Sequence, residues 1–246
     1  MRKATAEVSD HRKGEHMRFT HIVFDMDMTL FDYPAAQLDA FRGCTEPFGI
    51  EYTKEIHKIY NDCNERQWRF LEQSRVTMKE LQINRFKNFL KRIGKNDIDA
   101  GEMNSIYSGL LAEGGHLIPG ARETVQRLAK DHILAIATNG SAAVQRGRLG
   151  KSGLAGYFKY VFISEEIGQV KPDTGYFDHM VRTMELKPTD TALMVGDSLL
   201  TDICGAARVG ITTCWANYTA AKNRTEIKPN YEISCPNELL SIIDQD

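Results

Sequence analysis

The feature that most limits what this chain can fold into is a rhythm that begins at Pro119-Gly120 and continues toward the C-terminus, where short apolar runs alternate with helical patterns. Helices are expected over residues 121–130, 142–152, 174–185 and 201–209 and near 237–243, and strands over 133–137, 160–163, 192–195 and 212–215. Strands this short and this continuously apolar, separated by helices, suit a parallel sheet covered on both faces. A further run of the same kind, Ile22-Val23-Phe24, stands near the N-terminus and delivers Asp25-Met26-Asp27-Met28-Thr29.

Between the two lies a different composition. Phe31-Asp32-Tyr33-Pro34 breaks the strand pattern, and from residue 35 to about 112 the chain is more polar, with apolar residues at three- and four-residue steps (Leu38, Phe41; Ile56, Ile59, Tyr60; Leu81, Phe86, Phe89, Leu90; Ile106, Leu110). Four helices are expected there, broken near Gly49, Ser74 and Gly94. Thr53 and Thr77 suit N-caps, and Thr77 with Glu80 forms a possible capping box. The expected architecture is therefore an α/β, doubly wound (Rossmann-like) parallel sheet formed by residues 18–33 and 114–246, with an inserted all-helical domain over 34–113. Residues 1–17 are polar and aperiodic and read as a flexible extension or tag, Met17 being a possible original start.

A hydrophobic content of 42% is enough for a sizeable core. With 31 basic and 33 acidic residues, a net charge of −2 offers no field for a nucleic acid polymer or an anionic membrane as partner. Five cysteines without a C-x-x-C pair fit free thiols packed in the core of a protein in a reducing compartment. No apolar run reaches the length of a membrane span, and the first residues lack a signal peptide's apolar stretch, so a cytoplasmic location is the default expectation. Monomer and dimer are equally compatible with the composition.

In a doubly wound sheet, ligands sit at the carboxyl ends of the strands. The first strand ends in Asp25, the second in Thr138-Asn139-Gly140, the third in Ser164-Glu165-Glu166 and the fourth in Gly196-Asp197-Ser198, with Asp202 one helical turn later. Lys171 lies in a loop before a helix, where Pro172 favours an extended approach. Asp25, Asp197 and a backbone carbonyl can hold Mg²⁺, a hard cation that takes few protein carboxylates. Lys171 adds a point charge, Thr138 and Asn139 add donors for a phosphate, and Asp27 can serve as acid and then base toward a small phosphorylated substrate. Thr29 is expected to fix the Asp27 side chain or the turn. Taken singly, each element also has a plain reading as turn chemistry, a helix cap or a solvated loop residue. Their convergence at the strand ends of one sheet favours a reaction site.

These phrases resemble the four ordered motifs of the haloacid dehalogenase superfamily: Asp25-Met26-Asp27-Met28-Thr29, Thr138, Lys171, and Gly196-Asp197-Ser198-Leu199-Leu200-Thr201-Asp202. The resemblance implies Asp25 as nucleophile, Asp27 as acid/base and metal ligand through its carbonyl, Asp197 as the remaining carboxylate ligand, and Asp202 as support for the metal's waters or Lys171. It also implies that the helical insertion is a cap whose movement admits substrate. True dehalogenases of the superfamily lack the second Asp, so Asp27 points to phosphate chemistry. The stretches around Thr138, Lys171 and Thr213-Cys214-Trp215 are most similar to those of house-cleaning pyrimidine 5′-nucleotidases. Sugar-phosphate and acylneuraminate 9-phosphate phosphatases are the alternative, with a phosphomutase or a non-catalytic binding protein behind them. In the cap, Trp68, Phe70, Arg75 and Arg85 are candidates for contact with the leaving group.

Overall fold

The computed structural model describes residues 19–186 and 192–244, so the extension expected over 1–17 lies outside the described residues. In chain order it contains β1 (His21–Phe24), α1 (Tyr33–Thr45), α2 (Lys54–Glu72), α3 (Met78–Arg92), α4 (Ala100–Glu113) and α5 (Ala121–Leu128). Then follow β2 (Ile133–Thr138), α6 (Ala142–Ser152), β3 (Phe158–Ile163), the single turn α7 (Ser164–Ile167) and α8 (Thr174–Thr183). The chain continues through β4 (Ala192–Gly196), a π-helical turn at Leu199–Ile203 running into α9 (Cys204–Arg208), β5 (Thr212–Ala216), β6 (Tyr231–Ile233) and α10 (Glu238–Ile243).

The six strands are all parallel, in the order β3-β2-β1-β4-β5-β6. Because side chains alternate along a strand, β1 feeds two cores. Ile22 and Phe24 join Leu134, Ile136, Leu193 and Val195 beneath α5, Leu149 of α6 and Leu239 of α10. Val23 joins Ala135, Ala137 and Met194 beneath Tyr176, Phe177 and Met180 of α8. Burying each of these large apolar side chains is worth about 1.5–3 kcal/mol, which fixes β1 at the middle of the sheet. The strand order reverses at β1, with β2 on one side and β4 on the other, and this opens a crevice at their carboxyl ends. In register, Phe24 lies level with Val195, and the Asp25 amide donates to the Val195 carbonyl at 2.8 Å.

Helices α1 to α4 share a separate aromatic core. Phe41 stacks on Tyr60 at 4.6 Å, and Phe86, Phe89 and Tyr107 close around them. The expected breaks carry left-handed residues, Gly49 (φ 63°), Ser74 (φ 54°) and Gly94 (φ 72°). Thr53 and Thr77 accept the amides of Ile56 and Glu80, and Glu80 returns the bond to the Thr77 amide. The chain enters and leaves this helical unit side by side: Asp32 N–H donates to the His116 carbonyl at 3.1 Å and Ile118 N–H to the Leu30 carbonyl at 2.9 Å. Helix α4 then presses on α6, where a Cβ at Gly147 would sit 2.8 Å from Ala112 Cβ.

Three details depart from the sequence expectations. The helix expected over 201–209 is split by the π-helical turn. The strand β6 and the turn α7 were not anticipated, because three or four residues carry no readable period. Cys44, Cys63 and Cys214 are buried free thiols, but Cys235 is exposed and packs no core. No helix among the described residues is long and apolar enough to cross a membrane.

The close approach of α4 and α6 predicts opposite outcomes for two glycines of one helix. Gly147→Val should lower stability by about 1–3 kcal/mol. Gly150→Ala, whose Cβ would meet nothing, should raise it by about 0.5–1 kcal/mol. Urea denaturation reads both, and equal effects would contradict the packing described.

Candidate active site

The strand ends converge on one buried ammonium. Lys171 Nζ donates to Asp25 Oδ1 at 2.6 Å, to Asp202 Oδ1 at 2.7 Å and to the Ala137 carbonyl at 2.7 Å, and its side chain is 2% exposed. Burial works against the charge, but Asp202 and Asp25 outweigh it and hold the amine above the ordinary lysine range. The remaining Asp202 oxygen accepts the Ser198 amide at 3.1 Å. Gly196 makes that reach possible, since a Cβ there would lie about 2.4 Å from the Asp202 carboxylate.

Asn139, expected to bind phosphate, uses its side chain differently. Its Oδ1 accepts the Lys171 amide at 2.8 Å and its Nδ2 donates to the Lys171 carbonyl at 2.9 Å, so it positions the lysine loop. Of the two roles expected for Thr29, it takes the one across the turn: its hydroxyl donates to Asp25 Oδ2 at 3.4 Å rather than reaching Asp27, because residue 29 lies one helix-like turn beyond residue 25. The left-handed Met28 (φ 63°) and bonds from the Leu30 and Phe31 amides to the Met26 carbonyl shape that turn.

Asp27 is held by two residues that the sequence reading did not single out. Arg148 Nη1 makes a short ion pair with Asp27 Oδ1, and Gln145 Nε2 donates to Asp27 Oδ2 at 2.9 Å. The same Gln145 nitrogen donates to Thr138 Oγ1 at 2.8 Å, and Gln145 Oε1 accepts from Arg148 Nη1 at 3.1 Å. Residues 145 and 148 are three apart on α6 and so face the same way. Their signal was a polar pair on the sheet-facing side of a helix that directly follows Thr138-Asn139-Gly140. Thr138 Oγ1 also accepts the Gly140 amide at 3.3 Å, which turns its own proton toward a further acceptor.

A pocket of about 320 Å³ opens over Asp25, Asp27, Thr138, Lys171 and Asp197. From the helical unit, Trp68 and Glu72 close it. Glu72 was not anticipated; burial first, and then the Asp202 charge, push its carboxyl upward. Arg75 is elsewhere. It lies 4.2 Å over the Phe70 ring and lines a separate groove of about 560 Å³, away from the carboxylates. Arg85 is buried among α2, α3 and α4, bonded to Asn104 at 2.8 Å and Asn64 at 3.4 Å, and does not line the pocket above Asp25.

A family model of haloacid dehalogenase-like hydrolases matches residues 22–216. The chain belongs to that family. It is 35% identical to the HAD-hydrolase YfnB of Bacillus subtilis, over 92% of this chain and 96% of the relative. The magnesium-bound crystal structure of YfnB superposes with a TM-score of 0.86, covering 92% of this hydrolase and 99% of that chain. Identity is 33% to the pyrimidine 5′-nucleotidase PynA of Streptococcus pneumoniae (93% and 97% covered) and 30% to the pyrimidine 5′-nucleotidase YjjG of Escherichia coli (92% and 99% covered).

The donor set of this hydrolase suits a hard divalent cation. Carboxylate oxygens of Asp25, Asp197 and Asp202 lie within 4.8 Å of one another, and with only Lys171 among them two negative charges are unbalanced. Burial pushes Asp25 up to about 7, with Lys171 opposing and the charges of Asp202 and Asp27 adding. Asp197 is pushed up by burial and then by Asp25 and Asp202; among the described residues its carboxylate has no hydrogen bond. Both Asp202 oxygens are engaged by short bonds, whereas Asp25 Oδ2 has only the longer Thr29 contact at 3.4 Å, so Asp25 and Asp197 are the side chains more open to a metal. The Asp27 carboxylate is turned to Arg148; the ligand atom expected from this residue is its carbonyl. Asp197→Asn removes one of the crowded charges. The metal-free variant should melt higher than the parent and lose the rise in melting temperature that MgCl₂ gives the parent. A variant that still responds to MgCl₂ like the parent would remove Asp197 from the metal site.

Proposed function

We propose that this hydrolase cleaves small phosphomonoesters through a phosphoryl group carried on Asp25, with Mg²⁺ held by Asp25, Asp197 and the Asp27 carbonyl. The observation that carries this reading is the second carboxylate: Asp27 faces the same pocket as Asp25, and Gln145 and Arg148 hold it in one orientation. A carboxyl so fixed is suited to moving protons at the leaving oxygen. A haloacid dehalogenase needs no such group.

In the first step an Asp25 oxygen attacks phosphorus, the ester P–O bond breaks, and the departing oxygen takes the proton of the Asp27 carboxyl. In the second, water attacks phosphorus, gives a proton to Asp27, and the Asp25–phosphorus bond breaks to release inorganic phosphate. Lys171 and the Thr138 hydroxyl provide fixed positive charge and a donor for the phosphate oxygens. Mg²⁺, when bound, lowers the repulsion between a carboxylate and a phosphate dianion. Residues 34–113 act as the cap, and the paired segments at 30–32 and 116–118 connect it to the core.

The substrate class proposed is a nucleoside 5′-monophosphate with a pyrimidine base. Support comes from the two nucleotidases matched over nearly the whole chain, and from Trp68, whose indole borders the pocket where a planar leaving group can stack. Asp25→Asn should reduce kcat by at least about 10³-fold for every substrate while the fold is retained. A chelator should silence the parent enzyme, and added Mg²⁺ should restore it. A panel of pyrimidine nucleotides, purine nucleotides and sugar phosphates tests the substrate class; equal kcat/KM across it would refute a preference for pyrimidines.

Arg148→Met should lower kcat more than it raises KM, because it releases the Asp27 carboxyl without touching the residues proposed to hold phosphate. A change confined to KM would place Arg148 in substrate binding alone.

A further inference from the structure

Beside the catalytic pocket, in the seam between the helical unit and α6, lies a smaller cavity of about 30 Å³. Asp27, Tyr33, Trp68 and Gly140 border both spaces, so the two adjoin. Four residues that line the cavity each carry a buried polar atom without a protein partner: Arg85 Nε, Arg148 Nη2, Tyr33 Oη and Ser108 Oγ. They come from α3, α6, α1 and α4, and no single local motif brings them together. Arg85 is 4% exposed and Arg148 is fully buried.

The Arg85 guanidinium is fixed but not neutralised. Asn104 and Asn64 hold its two terminal nitrogens through amide oxygens, the Tyr107 ring lies 4.4 Å from its central carbon, and among the described residues no carboxylate pairs with it. Buried polar atoms ordinarily find partners, and a buried cation ordinarily finds an anion or an acceptor. Four residues around one small space, each with an unpartnered group able to donate, form a set complementary to an oxygen that accepts. Of the two guanidinium groups there, Arg148 is paired with the Asp27 carboxylate, and the Arg85 charge is the one that disfavours an ammonium and favours an oxygen.

We propose that this cavity recognises an acceptor oxygen on the leaving group, the ring carbonyl of a base or the carboxylate of a sugar acid, while the phosphate lies at Asp25. The inference rests on the phosphomonoesterase reading and adds the group that selects the substrate. The volume suits the size argument: a single water needs about 10–15 Å³, so the cavity takes one carbonyl or carboxylate and not a whole ring. The remainder of the leaving group would lie across Trp68 in the larger pocket. Arg148 then has two contacts, Asp27 through Nη1 and the substrate oxygen through Nη2, which would tie recognition of the leaving group to the orientation of the proton carrier.

The test compares kcat/KM for uridine 5′-monophosphate and for 6-phosphogluconate with that for phenyl phosphate, which has no such oxygen. The parent enzyme should prefer at least one of the first two by about tenfold or more. Tyr33→Phe and Ser108→Ala each delete one unpartnered hydroxyl at nearly constant shape, and Arg85→Lys keeps the charge while losing the planar fork. Melting temperature confirms that each variant is folded.

In Tyr33→Phe and Ser108→Ala the preference should fall about threefold or more, and in Arg85→Lys about tenfold. Loss confined to the nucleotide would identify a ring carbonyl as the occupant, and loss confined to the sugar acid a carboxylate. A ratio that stays within about twofold of the parent in all three folded variants would overturn the inference and leave a cavity that houses only solvent. If the parent turns over none of the three esters with Mg²⁺, the phosphomonoesterase reading fails and this inference falls with it.

Discussion

The buried ammonium of Lys171 is the contact on which the rest of the site depends. Taking a lysine and two carboxylates out of water costs several kcal/mol per ion, and only close, well-directed bonds recover it. Three short bonds do so here, to β1 through Asp25, to β2 through the Ala137 carbonyl, and to the turn after β4 through Asp202. Those acceptors stand together only because the sheet order places β1 between β2 and β4. The apolar burial that sets the strand order thus also sets the electrostatics of the crevice. In turn, the lysine makes it possible for carboxylates to crowd at the strand ends, where a phosphate ester and a hard cation would meet them.

A second contact joins the chemistry to the helical unit. Arg148 reaches Asp27 with one nitrogen and the Gly114 carbonyl, at the exit from α4, with another at 3.2 Å. Its helix also packs closely against α4 at Gly147. Movement of the helical unit relative to the sheet would therefore bear on the residue that holds Asp27. This gives a physical reason why proton transfer and the admission of substrate would change together, without a separate switch. Glu72 and Trp68 approach from the same unit, so the open face of the crevice is bounded by it.

Much of this was readable from residues. The helix breaks at Gly49, Ser74 and Gly94 and the capping box at Thr77 are local chemistry, and they stand where composition placed them. Asp25, Thr138, Lys171, Asp197 and Asp202 were legible because a parallel sheet presents its strand ends on one edge. What was not legible depended on tertiary partners. Gln145 and Arg148 look like ordinary polar residues of a covering helix until the fold buries them against Asp27. Asn139 was placed at the right loop but its side chain is used on the Lys171 backbone, and Thr29 turned out to serve Asp25, since neither choice is encoded in spacing alone. Arg75 has suitable chemistry but stands in the turn between α2 and α3 and lines another groove, a placement that helical periodicity does not report.

The central claim is that Asp25 carries the phosphoryl group while Asp27 handles protons. Its most direct test mixes the Asp27→Asn variant, in Mg²⁺, with an aryl phosphate whose phenolate departs without a proton, followed by acid quenching and peptide mass spectrometry. The first step then needs no acid and the second lacks its base, so the peptide containing Asp25 should gain the mass of one phosphoryl group as phenol is released. Release of phenol with the phosphoryl group on another residue, or with none on the protein, would contradict the account.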